Sequence, residues 1–177
     1  MGNELSIRRY RPDDGPRVRD LHETAMRDAN AYVEGVPDDD LESITETFLE
    51  PGGEFLVGER AGRIVAMGAF RPVDDSAHIA TVVSDLGDAA AEVTRLRVAP
   101  DAQRRGYGRQ LYRELEERAR SRGVEQFVLD TRPTQTAARG LYDTEGFEAV
   151  CREWVEAFDD PFELIFYRKS IADDGFR

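Results

Sequence analysis

Residues 92–123 carry the pattern that most limits what this chain can fold into. Glu92-Val93-Thr94-Arg95-Leu96-Arg97-Val98 alternates with period two and stops at Ala99-Pro100, as a strand does when a proline restricts the residue before it. Beyond Gln103-Arg104-Arg105-Gly106-Tyr107-Gly108, the residues Leu111, Tyr112, Leu115 and Ala119 recur at helical spacing until Gly123, a natural C-terminal stop. A turn of glycine and arginine therefore sits at a helix N-terminus. The first N–H groups of a helix have no partner inside it, and the macrodipole adds partial positive charge, so the turn suits an anion. Gly106 and Gly108 lack a Cβ, which lets a phosphate come close to the backbone.

The flanks add strands and helices in a mixed order. Residues 5–10 predict a strand, ended by Arg11-Pro12-Asp13-Asp14-Gly15, and residues 16–30 a helix with Val18, Leu21, Ala25 and Met26 on one face. The segment 32–40 reads as an acidic loop, after which Asp39 or Asp40 caps a short helix reaching Leu49. Residues 54–60 and 63–71 form a hairpin across Ala61-Gly62, and residues 72–91 a long connection with one apolar piece at 79–83. Then come a strand at 126–131, a helix at 134–145 ended by Gly146, and a last hairpin of 148–156 with 162–169 across Asp159-Asp160-Pro161. Hairpins combined with a β-α-β-α unit predict one mixed sheet with helices on its faces. The chain is long enough for a sizeable core and short for two, so one domain is expected over residues 1–171, with a fraying charged tail at 172–177.

Composition narrows the function classes. The net charge of −12 disfavours nucleic acid and anionic membrane surfaces as partners. No run is apolar over the roughly 18 residues a membrane span needs, and Met1-Gly2-Asn3-Glu4-Leu5 lacks a secretory pattern, so a cytoplasmic protein is expected. Cys151 is the single cysteine; it forms no intrachain disulfide and no thiolate metal cluster, and packing in the core is its expected role. His22 and His78 are isolated, without metal-ligand spacing, and read as surface or structural histidines; no metal is expected. One lysine among 24 basic residues, with 36 acidic ones, resembles proteins of salt-loving microbes, with GC-rich coding bias as the alternative.

Two blocks, residues 92–108 and 138–147 with the ending Leu141-Tyr142-x-x-x-Gly146-Phe147, make the chain resemble the GNAT superfamily of acyl-CoA-dependent N-acetyltransferases. The order of elements from residue 5 to residue 170 fits as well. The resemblance implies a single-domain α/β fold, with a mixed central sheet of six to seven strands flanked by about four helices. It implies that the backbone N–H groups of Arg104, Arg105, Gly106, Tyr107, Gly108 and Arg109, flanked by Gln103, hold the coenzyme A pyrophosphate. Leu96, Arg97 and Val98 would pair with the pantetheine arm, and an N–H near Val98 would polarise the thioester oxygen. Gln135 stands where the family often has a cofactor-contacting asparagine, which lengthens that arm, while Ala138 matches the expected small residue.

For chemistry, acyl transfer needs a neutral amine, and Glu92 and Asp130 stand where related enzymes place a base. Tyr142 is placed to protonate the departing thiolate. The function implied is direct transfer of an acetyl group from acetyl-CoA to a primary amine, on a small molecule, a peptide N-terminus or a lysine side chain. A non-catalytic acyl-CoA-binding regulatory module on the same fold is the alternative; a stand-alone nucleotide-binding domain is a third. The acidic run Asp38-Asp39-Asp40 reads either as a solvated loop or as an attractor for a cationic amine. A monomer and a homodimer are both compatible with the pattern.

Overall fold

The computed structural model describes residues 4–32, 34, 38–156 and 160–172. Its strands are β1 (Ser6–Arg9), β2 (Glu54–Arg60), β3 (Arg63–Pro72), β4 (Ala90–Val98), β5 (Gln126–Thr131), β6 (Glu148–Val155) and β7 (Phe162–Ser170). Its helices are α1 (Gly15–Asp28), α2 (Asp39–Glu42), α3 (His78–Val82), α4 (Tyr107–Ser121) and α5 (Thr136–Thr144). All seven strands join one sheet in the order β1-β2-β3-β4-β5-β7-β6. Only β4 and β5 run parallel, because the connection between them is the long crossover through α4.

Alternation along the strands sorts side chains to two faces. Leu56, Phe70, Val93, Leu96, Phe127 and Leu129 meet Leu111, Tyr112, Leu115 and Tyr142 of α4 and α5 on one face. Phe55, Val57, Val65 and Met67 meet Val18, Leu21, Leu41 and Phe48 on the other. On that second face Val128 and Phe166 are covered by Ile79 and Val83 around α3. At Gly68 a Cβ would lie 2.6 Å from Leu111 Cδ2 and 2.9 Å from Leu96 Cδ1, so the missing side chain is what lets α4 sit close to the sheet.

Three sequence expectations change. The connection 72–91 contains α3, and β4 begins at Ala90 rather than Glu92. The expected helix after residue 39 is α2 alone, followed by a π-type turn at Thr45–Leu49, and its N-cap is Asp38, whose carboxylate makes no capping bond. Strict alternation in β4 also fails. Met67 faces Arg97 and Ala69 faces Thr94, so Arg95 and Leu96 bulge together opposite Gly68, and Arg95 takes the left-handed φ of 60°. The last hairpin forms as expected, but β7 inserts between β5 and β6, leaving β6 at the edge. Beyond Ala172 the expected tail lies outside the described residues, as do residues 157–159 of the final turn and the N-terminal Met1-Gly2-Asn3.

Candidate active site

The site begins where the sheet splits. β4 and β5 pair only from Ala90↔Gln126 to Glu92↔Val128. Beyond that point β4 continues beside β3 as far as Val98, and β5 continues beside β7 as far as Thr131. The facing edges of β4 and β5 therefore part, and two cavities occupy the gap. The larger, about 700 Å³, lies between the end of β4, the turn before α4, the end of α1 and the start of α5. The smaller, about 260 Å³, lies between β4, β5 and residues of α1 and its following loop. Both are lined by Met26, Leu96, Arg97 and Gln135, so they meet at the bulged end of β4.

The anion turn takes the form the sequence predicts. Gly106 is the N-cap of α4 at φ 80°, and Arg104 is also left-handed at φ 63°. Gln110 N–H donates to Gly106 O at 3.0 Å as the first bond of the helix, which leaves the N–H groups of Gly108 and Arg109 ahead of it without intrahelical partners. A Cβ at Gly106 would meet nothing within 4 Å, so the space over the turn is open. Gln103 Nε2 donates back to Val98 O at 3.2 Å and ties the turn to the strand. Leu96, Arg97, Val98, Gln103, Arg104, Gly106, Tyr107, Gly108, Arg109, Gln135 and Ala138 all line the larger cavity. Arg105 is exposed and lies outside that lining. Arg109 is held by Thr144 Oγ1 at 2.8 Å, which fixes its side chain against the end of α5.

Gln135 Oε1 accepts from Thr131 Oγ1 at 2.9 Å and from Arg132 N–H at 3.0 Å, and Nε2 lies 3.8 Å from Met26 Sδ. Its carboxamide oxygen is thus spent on the chain itself. The residue braces the junction between the cavities.

The titratable groups cluster in the smaller cavity, which Asp130 and Tyr142 both line. Asp130 is exposed to the cavity at the end of β5, and the protein packed around it, reinforced by the Glu92 charge, pushes its carboxyl up to about 6. Tyr142 is buried, stacks edge-on against Phe147 at 5.5 Å, and is pushed up to about 12 by desolvation. A phenol held neutral in this way can donate its proton. Glu92 lines neither cavity. It shares the sheet face of Val128 and Asp130, accepts from Arg71 Nε at 3.3 Å, and contributes charge rather than direct reach.

Sequence reasoning missed the other half of this cavity. Arg95, turned by the bulge, donates to Asp40 at 2.6 and 2.9 Å and pairs with Asp38 at 3.0 Å. The acidic run is therefore neither a solvated loop nor a free attractor, since two of its carboxylates are engaged with this guanidinium. His22 is buried, not on the surface, with Nε2 at 3.0 Å from Arg95 Nη1. Desolvation and the charges of Arg97 and Arg95 push it down to about 3, so it stays neutral. Arg132 stacks over Phe162 at 4.7 Å and donates to Ala31 O at 3.1 Å. Arg97 donates from Nη1 to Leu96 O at 2.9 Å, while its Nε is buried with no hydrogen-bond partner among the described residues. These groups are brought together from positions up to about a hundred residues apart, and no local pattern signals them. Among the described residues no cluster of His, Cys, Asp and Glu is arranged to hold a metal ion, and no helix is long and apolar enough to cross a membrane.

A sheet that splits beside a helix N-terminus, with the Asp130 carboxyl and the Tyr142 phenol lining the gap, is a GNAT-like α/β fold. The chain matches the model of the Acetyltransferase (GNAT) family over residues 17–147, more than half its length, and belongs to that family. It is similar to human N-acetyltransferase 8, 30% identical over 118 residues that make up 66% of this chain and 48% of that protein. It is also 30% identical over 102 residues to the IAA acetyltransferase of Azospirillum brasilense, covering 58% of this chain and 59% of that one. This chain thus spans about half the length of the human relative. Its fold is shared with a GNAT-family acetyltransferase from Staphylococcus aureus Mu50, with TM-score 0.77 and 15% identity over 95% of this chain and 99% of that one. It is shared too with yncA from Salmonella typhimurium, solved with its cofactor acetyl-CoA, with TM-score 0.74 and 20% identity over 99% and 98% of the two chains.

Proposed function

We propose that this chain transfers an acetyl group from acetyl-CoA to a primary amine in one direct step. The observation that carries this is the junction of two cavities at Leu96 and Arg97, one beside the N-terminus of α4 and the other beside Asp130 and Tyr142. The residues of the larger cavity fit coenzyme A. The N–H groups of Gly108 and Arg109 in the first turn of α4 suit a pyrophosphate, and the β4 edge that faces away from β3 suits the amides of the pantetheine arm. The names of the sequence relatives, N-acetyltransferase 8 and IAA acetyltransferase, support the class of reaction.

In this mechanism the amine nitrogen bonds to the thioester carbon and the carbon–sulfur bond breaks. Asp130, as carboxylate, accepts the amine proton directly or through one water. Tyr142 gives its phenolic proton to the leaving thiolate. Glu92 keeps Asp130 basic by its nearby charge. The retained acid and base favour an enzyme over a non-catalytic acyl-CoA-binding module.

Calorimetry with acetyl-CoA, followed by thiol release over a panel of amines, tests the function; binding without release on any amine would favour the module. Tyr142→Phe is expected to lower kcat by roughly 10–100-fold with little change in the KM for acetyl-CoA, since the proton is needed only as sulfur departs. Unchanged turnover in steady-state kinetics would remove the tyrosine from this role.

A further inference from the structure

The smaller cavity holds three arginines in a protein whose net charge is −12, which demands an account. Arg95 is already matched by Asp38 and Asp40. Arg132 is held by a backbone carbonyl and an aromatic ring, and among the described residues no carboxylate bonds to it. Arg97 is desolvated where the cavities meet, and among the described residues its hydrogen bond goes to Leu96 O while its Nε has no partner. A buried guanidinium whose Nε points at no acceptor is an expensive arrangement unless a ligand supplies one. Guanidinium also favours planar oxyanions, because its donors match both oxygens of a carboxylate.

The opposite charge is equally placed. Asp130 and Arg97 both line this cavity, so an anion-binding and a cation-binding group face the same small space. The remaining walls include Tyr32, Val93, Phe162 and Leu164, and the volume of about 260 Å³ matches one amino acid, at roughly 30 Å³ per water-sized group.

We propose that the acceptor is a free α-amino acid with an apolar or aromatic side chain, its carboxylate bound by Arg97 and Arg132 while its amine faces Asp130. The inference rests on the acetyl-transfer function above and adds the substrate class. An α-amino acid carries both charges on one carbon, which is the spacing an adjacent arginine and aspartate can hold together. Its side chain then extends toward Tyr32 and Phe162. Arg97 and Arg132 act as specificity residues, and the bond-making step is unchanged.

The test uses L-phenylalanine and L-leucine against their amides and against phenethylamine and isoamylamine, with acetyl-CoA and thiol release as readout. The free acids are expected to exceed their matched amides at least tenfold in kcat/KM. Arg97→Gln and Arg132→Gln are each expected to erase that preference by raising the KM for the acid, and Arg132→Gln, which lies outside the larger cavity, is expected to leave the KM for acetyl-CoA nearly unchanged. Hydrocinnamate, which has the carboxylate and ring but no amine, is expected to bind the coenzyme A-loaded protein in calorimetry and to bind at least tenfold more weakly to either variant. Amides or plain amines used as well as the acids would overturn the proposal while leaving acetyl transfer intact. So would an equal fall in kcat on every acceptor in Arg97→Gln, which would assign the guanidinium to the thioester, or failure of hydrocinnamate to bind. Failure to bind acetyl-CoA at all would overturn the transfer function and the substrate class together.

Discussion

Replacing Asp130 by asparagine is expected to lower kcat/KM for the amine by roughly 10²–10⁴-fold, the range a positioned general base contributes. The pH profile gives the sharper signature. A base works deprotonated, and the Asp130 carboxyl sits at about 6, so wild-type kcat/KM should rise with pH through that value and be lost below it. In Asp130→Asn the limb near pH 6 should vanish. Because the Glu92 charge is part of what raises Asp130, Glu92→Gln should move the same limb to lower pH while keeping substantial activity. A profile unchanged in Asp130→Asn would transfer the base role elsewhere, and a limb lost only in Glu92→Gln would reverse the assignment of the two carboxylates.

The largest stability effect is expected away from the site, at Glu54. This carboxylate is fully buried at the start of β2, with 0% exposure, and receives Arg9 at 2.8 and 3.1 Å, Arg118 at 3.2 Å and Arg122 at 2.8 Å. It fastens β1 and α4 to the hairpin. Glu54→Ala removes the common partner of three guanidinium groups, and a loss of about 3 kcal/mol is expected, the low end for a broken buried pair because these arginines reach water in part. Urea denaturation at neutral pH measures it. Burial raises the Glu54 pKa, but the bonds from Arg9 and Arg118 outweigh that and hold it below the ordinary 4.5. Its contribution is therefore complete above 4.5 and is lost as pH falls through the lower folded value. The gap between wild type and variant should narrow on acidification; a gap below about 1 kcal/mol at neutral pH would mean the arginines find equal partners elsewhere.

Much of the donor half of the site was legible because it is local. The period-two strand, the glycine turn and the helical repeat of Leu111, Leu115 and Ala119 all lie within about 30 residues, where turn chemistry and amphipathicity act directly. The acceptor half was not. Asp40 and Arg95 are 55 residues apart, and His22 and Arg95 are 73 apart, so nothing near either residue announces the contact. The bulge that turns Arg95 toward them depends on the register of β4 against β3, which shifts between Met67 and Ala69. Read along the chain, Asp38-Asp39-Asp40 is simply a charge run; in the fold two of its members hold a guanidinium.

By itself the amino-acid order determined a one-sheet α/β protein with an anion turn at the start of α4 and a tyrosine on α5, and the family resemblance singled out the two carboxylates Glu92 and Asp130. Local torsional preference and apolar periodicity suffice for the elements and the turn, the side-chain assignments rest on the resemblance, and family membership over residues 17–147 agrees with both. Only the tertiary structure decided that β7 enters beside β5, that Asp130 rather than Glu92 faces the cavity, and that Arg97 and Arg132 line the same cavity. Strand order, register and the desolvation of a charge depend on neighbours distant in sequence, so they exist only once the sheet has closed around them.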